Sequence, residues 1–106
     1  MITITSDEQF TEIIKTSPFV VIDFYATWCG PCKLLSPQLE RLSQIYTNVK
    51  FIKVDVDEFE DITQEHQVSA MPTILFYKKG VLLTDNVVGC DVNHIERIIK
   101  QHHTSH

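Results

Sequence analysis

No apolar run in this chain exceeds four residues, far short of a membrane-crossing helix. Positive charge is also short: nine Lys and Arg stand against fourteen Asp and Glu, for a net charge of −5, and the nine are scattered. Without a basic stripe or an aromatic-plus-Arg run, nucleic acid is not an expected partner. No polybasic patch points to a membrane surface. No positive charge precedes Lys15, and Asp7, Glu8 and Glu12 occupy that stretch with no apolar block behind them, so no signal or transit peptide is expected. Repeats, low-complexity tracts and linkers are absent. No G-x-G-x-x-G occurs, so no bound nicotinamide is expected. Cysteine is limited to three residues, and a chain of 106 residues forms one domain with a core that needs no staples. These absences leave a soluble protein of a reducing compartment, expected to be cytoplasmic, where a close cysteine pair is catalytic or metal-binding more often than structural.

What is present is strong patterning. Residues 2–5 read as a short edge strand. Ser6 with Gln9 is a capping-box start, and Phe10, Ile13 and Ile14 form one helical face until Ser17-Pro18 stops it. Residues 19–25 read as a buried central strand. Leu35, Leu39, Leu42 and Tyr46 place a long amphipathic helix over 32–46, with Pro37 inside it. A second strand covers 50–55, and Asp57 with Glu60 opens a short helix. Residues 73–77, the Lys79-Gly80 turn and residues 81–88 form a hairpin. Val92, Ile95, Ile98 and Ile99 mark a closing helix, and residues 101–106 are expected to fray. The order β-α-β-α-β-α-β-β-α predicts an α/β fold, a mixed sheet with helices on both faces.

Cys29-Gly30-Pro31-Cys32 lies between the central strand and the long helix. Two intervening residues let the cysteines close into one disulfide within a helical turn. Three readings compete: a dithiol redox centre, half of a zinc site, and a structural pair. The zinc reading needs two more ligands, with only Cys90 and the histidines to supply them. The junction favours redox chemistry, because unpaired N–H groups and the helix dipole stabilise a thiolate on Cys29. Pro31 in the first turn loses no helical hydrogen bond. Cys32, one turn inside, is placed to resolve a mixed disulfide on Cys29.

Other residues carry two readings each. Asp23 interrupts the apolar strand; buried, its carboxyl is raised in pKa and suited to exchanging a proton with Cys32, but it also fits a carboxylate that reaches solvent. Lys53 either faces Asp23 or is an exposed strand lysine. Met71-Pro72 is trans on frequency alone, although a cis bond there would free backbone groups for an incoming peptide. Trp28 is a flat substrate surface or ordinary core. Gly89 reads as a turn. Cys90 reads first as a buried free thiol, otherwise as a dimer-forming or oxidation-sensitive one. Asp55-Val56-Asp57 lacks the glycine and distal Glu of a calcium loop and reads as a strand end with a helix cap. His102, His103 and His106 read as a polar tail rather than a metal site.

Trp28-Cys29-Gly30-Pro31-Cys32-Lys33 resembles the active-site motif of the thioredoxin family. Phe24 to Trp28, Lys53 to Asp57 and Met71-Pro72-Thr73 are similar to further family segments in order and spacing, so the resemblance runs from Phe10 to about Ile99. Tyr25-Ala26-Thr27 and Asp55-Val56-Asp57 look closest to animal cytosolic members. The resemblance implies the thioredoxin fold, a mixed five-stranded sheet flanked by four helices. It implies that Cys29 attacks and Cys32 resolves, that Asp23 and Lys53 match the buried aspartate and its lysine, and that Pro72 is cis. Trp28, Met71, Pro72, Gly89 and Cys90 would then frame the docking groove. The implied activity is reduction of protein disulfides, with no bound cofactor beyond the redox-active disulfide itself. The implied partners are an NADPH-dependent thioredoxin reductase and disulfide-bearing proteins such as peroxiredoxins and reductases. A monomer is expected, with Cys90 as a route to a covalent dimer. Ala70 stands where many animal members carry a cysteine, and none lies over 59–66, so control through those thiols is not expected. A redox-switched binding module is the rival reading. A disulfide-isomerase role is opposed by Gly30-Pro31, and glutaredoxin by its usual Cys-Pro-Tyr-Cys.

Overall fold

The computed structural model describes residues 1–103; the expected tail at 104–106, including His106, lies outside the described residues. The elements are β1 (Ile2–Thr3), α1 (Asp7–Thr16), β2 (Phe19–Tyr25), α2 (Gly30–Ile45), β3 (Lys50–Asp55), α3 (Glu60–Glu65), β4 (Thr73–Lys78), β5 (Val81–Val88) and α4 (Val92–His103). The sheet order is β1-β3-β2-β4-β5, with β1, β3 and β2 parallel and β4 and β5 antiparallel.

Strand β2 is central because both its faces are apolar. Val20, Ile22 and Phe24 pack with Phe10 of α1 and Ile62 of α3. Phe19 and Val21 face the other way, onto Leu35, Leu39 and Leu42 of α2 and Ile95, Ile98 and Ile99 of α4. The period of two along a strand puts Asp23 on the α2 side, after Val21. Each fully buried Leu of α2 contributes on the order of 1.5–3 kcal/mol of transfer free energy.

Local chemistry sets the element ends. Ser6 Oγ accepts from the Gln9 N–H at 3.1 Å, and Gln9 Oε1 accepts from the Thr5 N–H at 2.7 Å. That second bond draws Thr5 off the sheet, so β1 is shorter than the expected 2–5. Ser17, before Pro18, is extended and ends α1. Lys79 and Gly80 both take positive φ, 52° and 80°, which matches the twist of a tight hairpin.

Helix α4 continues through His103, past residue 101 where fraying was expected to begin. His102 Nε2 lies 2.6 Å from Asp85 Oδ2 of β5, and its ring stacks on Phe19 at 6.3 Å. These contacts pin the last turn to the sheet.

Candidate active site

Strand β2 delivers the chain to a short turn in which the Cys29 N–H donates to the Ala26 carbonyl at 3.1 Å. Cys29 is the N-cap of α2 in extended conformation, and its Sγ accepts from the Cys32 N–H at 3.1 Å. The helix begins at Gly30, with Pro31 in its first turn as the junction implied and two residues ahead of the span marked by the apolar repeat, and the sulfur of Cys29 takes the place of a capping oxygen. Pro31 sits in the first turn, where its missing N–H leaves nothing unpaired. Cys29 and Cys32 are joined by a disulfide with a Cα–Cα separation of 5.3 Å. Their sulfurs are therefore committed to each other and supply no zinc thiolates in this state. Among the described residues, no three His, Cys, Asp or Glu side chains come together as a metal cluster.

Both cysteines are 4% exposed, so burial does not distinguish them; direction does. Cys29 Sγ lies 3.6 Å from the Met71 carbonyl oxygen. Cys32 lines a cavity of about 300 Å³ together with Asp23, Lys33, Ser36 and Lys53.

Asp23 is 2% exposed, and its Oδ1 has no hydrogen-bond partner. Burial pushes its carboxyl up to about 7, with the positive charge of Lys53 pulling the other way. The solvent-reaching alternative for Asp23 is thereby removed. Lys53 pairs opposite Asp23 in the β2–β3 register and is half-buried, not an exposed strand lysine. Its Nζ lies 5.0 Å from the centre of the Tyr25 ring.

Trp28 is 67% exposed, which makes it surface and not core. Its Nε1–H donates to Asp57 Oδ2 at 2.9 Å and fixes the indole beside the cysteines. Asp57 therefore does not cap α3, as its spacing to Glu60 suggested. The N-cap is Phe59, with no side-chain bond, while Asp55 Oδ1 takes the Asp57 N–H at 2.9 Å. Nothing in the local pattern linked Asp57 to Trp28; the contact spans 29 residues.

The Met71-Pro72 bond is cis, as the family resemblance implied and frequency alone did not. The Pro72 carbonyl accepts from the Gly89 N–H at 2.9 Å, and Gly89 has φ 99°, a backbone that favours glycine. That bond carries the β5 end, with Cys90, up to the Pro72 loop. Cys90 is exposed, which corrects the buried thiol expected from the sequence. It follows the end of β5 and precedes α4, outside both core clusters.

His66 was not singled out from the sequence. Its Nδ1 lies 2.7 Å from the Ile62 carbonyl oxygen and its Nε2 2.7 Å from the Tyr77 hydroxyl. A carbonyl only accepts, so Nδ1 carries the proton and Nε2 accepts from Tyr77. This pair lines a cavity of about 770 Å³ between α1, α3 and the β4–β5 turn, away from the cysteines.

The thioredoxin family model matches residues 1–101. The chain is similar to thioredoxin-2 of Pyricularia oryzae, 40% identical over 102 residues, which are 96% of this chain and 59% of that one. It is 45% identical to the mitochondrial thioredoxin-3 of Saccharomyces cerevisiae over 97 residues, covering 92% of this chain and 76% of that one. The solved thioredoxin of Plasmodium falciparum superposes with a TM-score of 0.90 at 37% identity, over 96% of this chain and 99% of that one. The architecture is the thioredoxin fold. The animal-type likeness read from residues 25–27 and 55–57 is corrected to a fungal type.

Proposed function

This chain belongs to the thioredoxin family, a dithiol–disulfide oxidoreductase, and from that premise we propose how its residues divide the work. The Cys29 thiolate, held at the N-terminus of α2, attacks one sulfur of a substrate disulfide. A mixed disulfide forms on Cys29 and one substrate thiolate leaves. Asp23 takes the proton of Cys32, and the Cys32 thiolate attacks Cys29 Sγ. The second substrate thiolate leaves, and the Cys29–Cys32 disulfide remains. Two electrons have passed to the substrate, and the proton on Asp23 returns to Cys32 when the pair is next reduced. Lys53 tunes Asp23, and Gly30 and Pro31 shape the first turn. Trp28, Met71, Pro72, Gly89 and Cys90 form the docking surface. The observation that carries this reading is the cysteine pair set between the Met71-Pro72 loop on one side and a buried, unpartnered carboxyl on the other.

The proposed electron source is an NADPH-dependent thioredoxin reductase. The proposed substrates are disulfide-bearing proteins, peroxiredoxins and reductases among them. The chain is proposed to act as a single-domain monomer in the cytoplasm, where the dithiol form and the exposed Cys90 stay reduced. Under oxidation, Cys90 is the proposed point of covalent dimerisation. Among the described residues, no helix is long and apolar enough to cross a membrane.

The test is reduction of insulin disulfides by NADPH and a thioredoxin reductase, with Cys32→Ser beside the unaltered protein. Turnover that needs both cysteines, with adducts trapped on Cys29 in the variant, supports the mechanism. A folded protein that still binds its partners after loss of both cysteines would instead be a binding module.

A further inference from the structure

We propose that Tyr25 is a positioning residue for the proton-transfer step, its ring holding the Lys53 ammonium away from the Asp23 carboxyl. The proposal rests on the role of Asp23 given above and deepens it. Asp23 and Tyr25 are two residues apart on β2 and so share a face. Lys53 stands directly opposite Asp23 on β3. A lysine in that register beside a buried carboxyl is expected to bond to it, since an orphaned polar atom is costly. It does not. Asp23 Oδ1 has no partner, and no direct ion pair links the two among the described residues. The ammonium instead sits over the Tyr25 ring, 5.0 Å from its centre, where the negative face of the ring attracts it.

The consequence lies in the cavity that Asp23, Tyr25, Lys53 and Cys32 line together. An ammonium resting on Asp23 would hold the carboxylate ionised, and an ionised group that resists protonation is a poor partner for the Cys32 proton. Captured by the ring, the same charge acts only at a distance. The other groups facing this cluster are Lys33 and the Cys32 sulfur from α2. The carboxylates of Asp55, Glu58 and Asp23 act on the Tyr25 hydroxyl through their charge. Burial and then these carboxylates push that hydroxyl above its usual range, so the ring remains a neutral phenol at neutral pH.

The test follows the Asp23 carboxyl carbon by NMR titration in the reduced protein and in Tyr25→Leu, Tyr25→Phe, Lys53→Met and the Tyr25→Leu/Lys53→Met pair. Tyr25→Leu is expected to lower the Asp23 pKa by about half a unit. Tyr25→Phe keeps the ring and leaves the titration in place. In the Lys53→Met background, Tyr25→Leu is expected to do nothing further. A shift that persists undiminished in that background would mean the ring acts by excluding water, and the proposal fails; no shift in Tyr25→Leu also sinks it. Should Tyr25→Leu not fold, the unaltered protein still decides: the Lys53 Cε protons must be displaced upfield by the Tyr25 ring current, and ordinary lysine shifts overturn the proposal. The pH profile of insulin reduction should move with the Asp23 titration. Asp23→Asn tests the carboxyl's role separately: if resolution by Cys32 is unimpaired there, the proton-transfer reading fails while the titration result stands.

Discussion

Asp23 costs the fold stability at alkaline pH. Its carboxyl is raised from 3.8 to about 7 by burial, so the folded state holds a proton that the unfolded chain releases. Between those values the unfolded state binds fewer protons than the native one, and stability therefore falls as pH rises. The penalty is absent below the unfolded value and complete above the folded one. At full ionisation a rise of that size corresponds to about 4 kcal/mol. Asp23→Asn is thus expected to unfold at higher urea than the unaltered protein at alkaline pH, with the gap closing as the pH falls to about 4. Paired urea titrations across that range check it, and a gap that ignores pH would show that Asp23 is solvated. Trp28 supplies a second residue-scale prediction. Asp57→Ala removes the acceptor that fixes the indole. It is expected to raise KM for a protein substrate about threefold with kcat unchanged, together with faster depolarisation of Trp fluorescence. Equal losses in both constants would place Asp57 in the chemistry instead. Of this site, the cysteine pair was legible from its place between strand and helix, whereas Asp23 and Trp28 stood out but kept two readings each, because burial of a single side chain is not written in the local pattern. Asp57 was not legible, because its partner is distant in sequence and its spacing to Glu60 mimics a helix cap.

The elements show why some boundaries are harder to read than others. Ser6 caps α1 through the Gln9 N–H, and Ser6→Ala is expected to cost about 1 kcal/mol in urea unfolding. A loss below a few tenths would mean that Gln9 and Thr5 hold the turn without it. Strands β2 and β4 and helix α2 were legible because burial on a fixed period is a strong signal: Val20, Ile22 and Phe24 alternate with Phe19 and Val21, and Leu35, Leu39 and Leu42 repeat along one side. The misreadings share one cause, a side chain whose partner lies in another element. Gln9 reaches back to Thr5 and shortens β1. Cys29 caps with sulfur, so α2 starts two residues ahead of its apolar repeat. Asp85 and Phe19 hold His102, so α4 runs through a stretch with no apolar anchor of its own. Cys90 looked like core because free cysteines usually are, yet it falls between β5 and α4, where neither cluster reaches.

At the scale of the whole molecule, the cysteine pair sits where the two cores meet. Cys29 and Cys32 pack in the cluster formed with α1 and α3, while Leu35, Leu39 and Leu42 of the same helix pack in the other. The packing of both clusters thus holds the bonded pair in place in the native state. Unfolded, the chain must close that small ring from a flexible ensemble. A ring joining residues three apart costs about 2 kcal/mol of chain entropy, and this loss falls on the oxidised unfolded state. The oxidised protein should then resist unfolding more than the reduced one by up to that amount. Stabilisation of the Cys29 thiolate by α2 favours the reduced native state and trims the gap. Unfolding and reduction form a closed cycle, so the same free energy appears twice. If the native disulfide is about 2 kcal/mol more stable than the unfolded one, its two-electron potential is about 40 mV more negative. Folding thus makes the dithiol the stronger reductant, as a protein that gives electrons to other disulfides requires. Urea unfolding of both redox forms gives one side of the cycle, and equilibration with glutathione in buffer and in concentrated urea gives the other. A reduced form as stable as the oxidised one, with equal potentials in both solvents, would show that the scaffold carries the pair without biasing it.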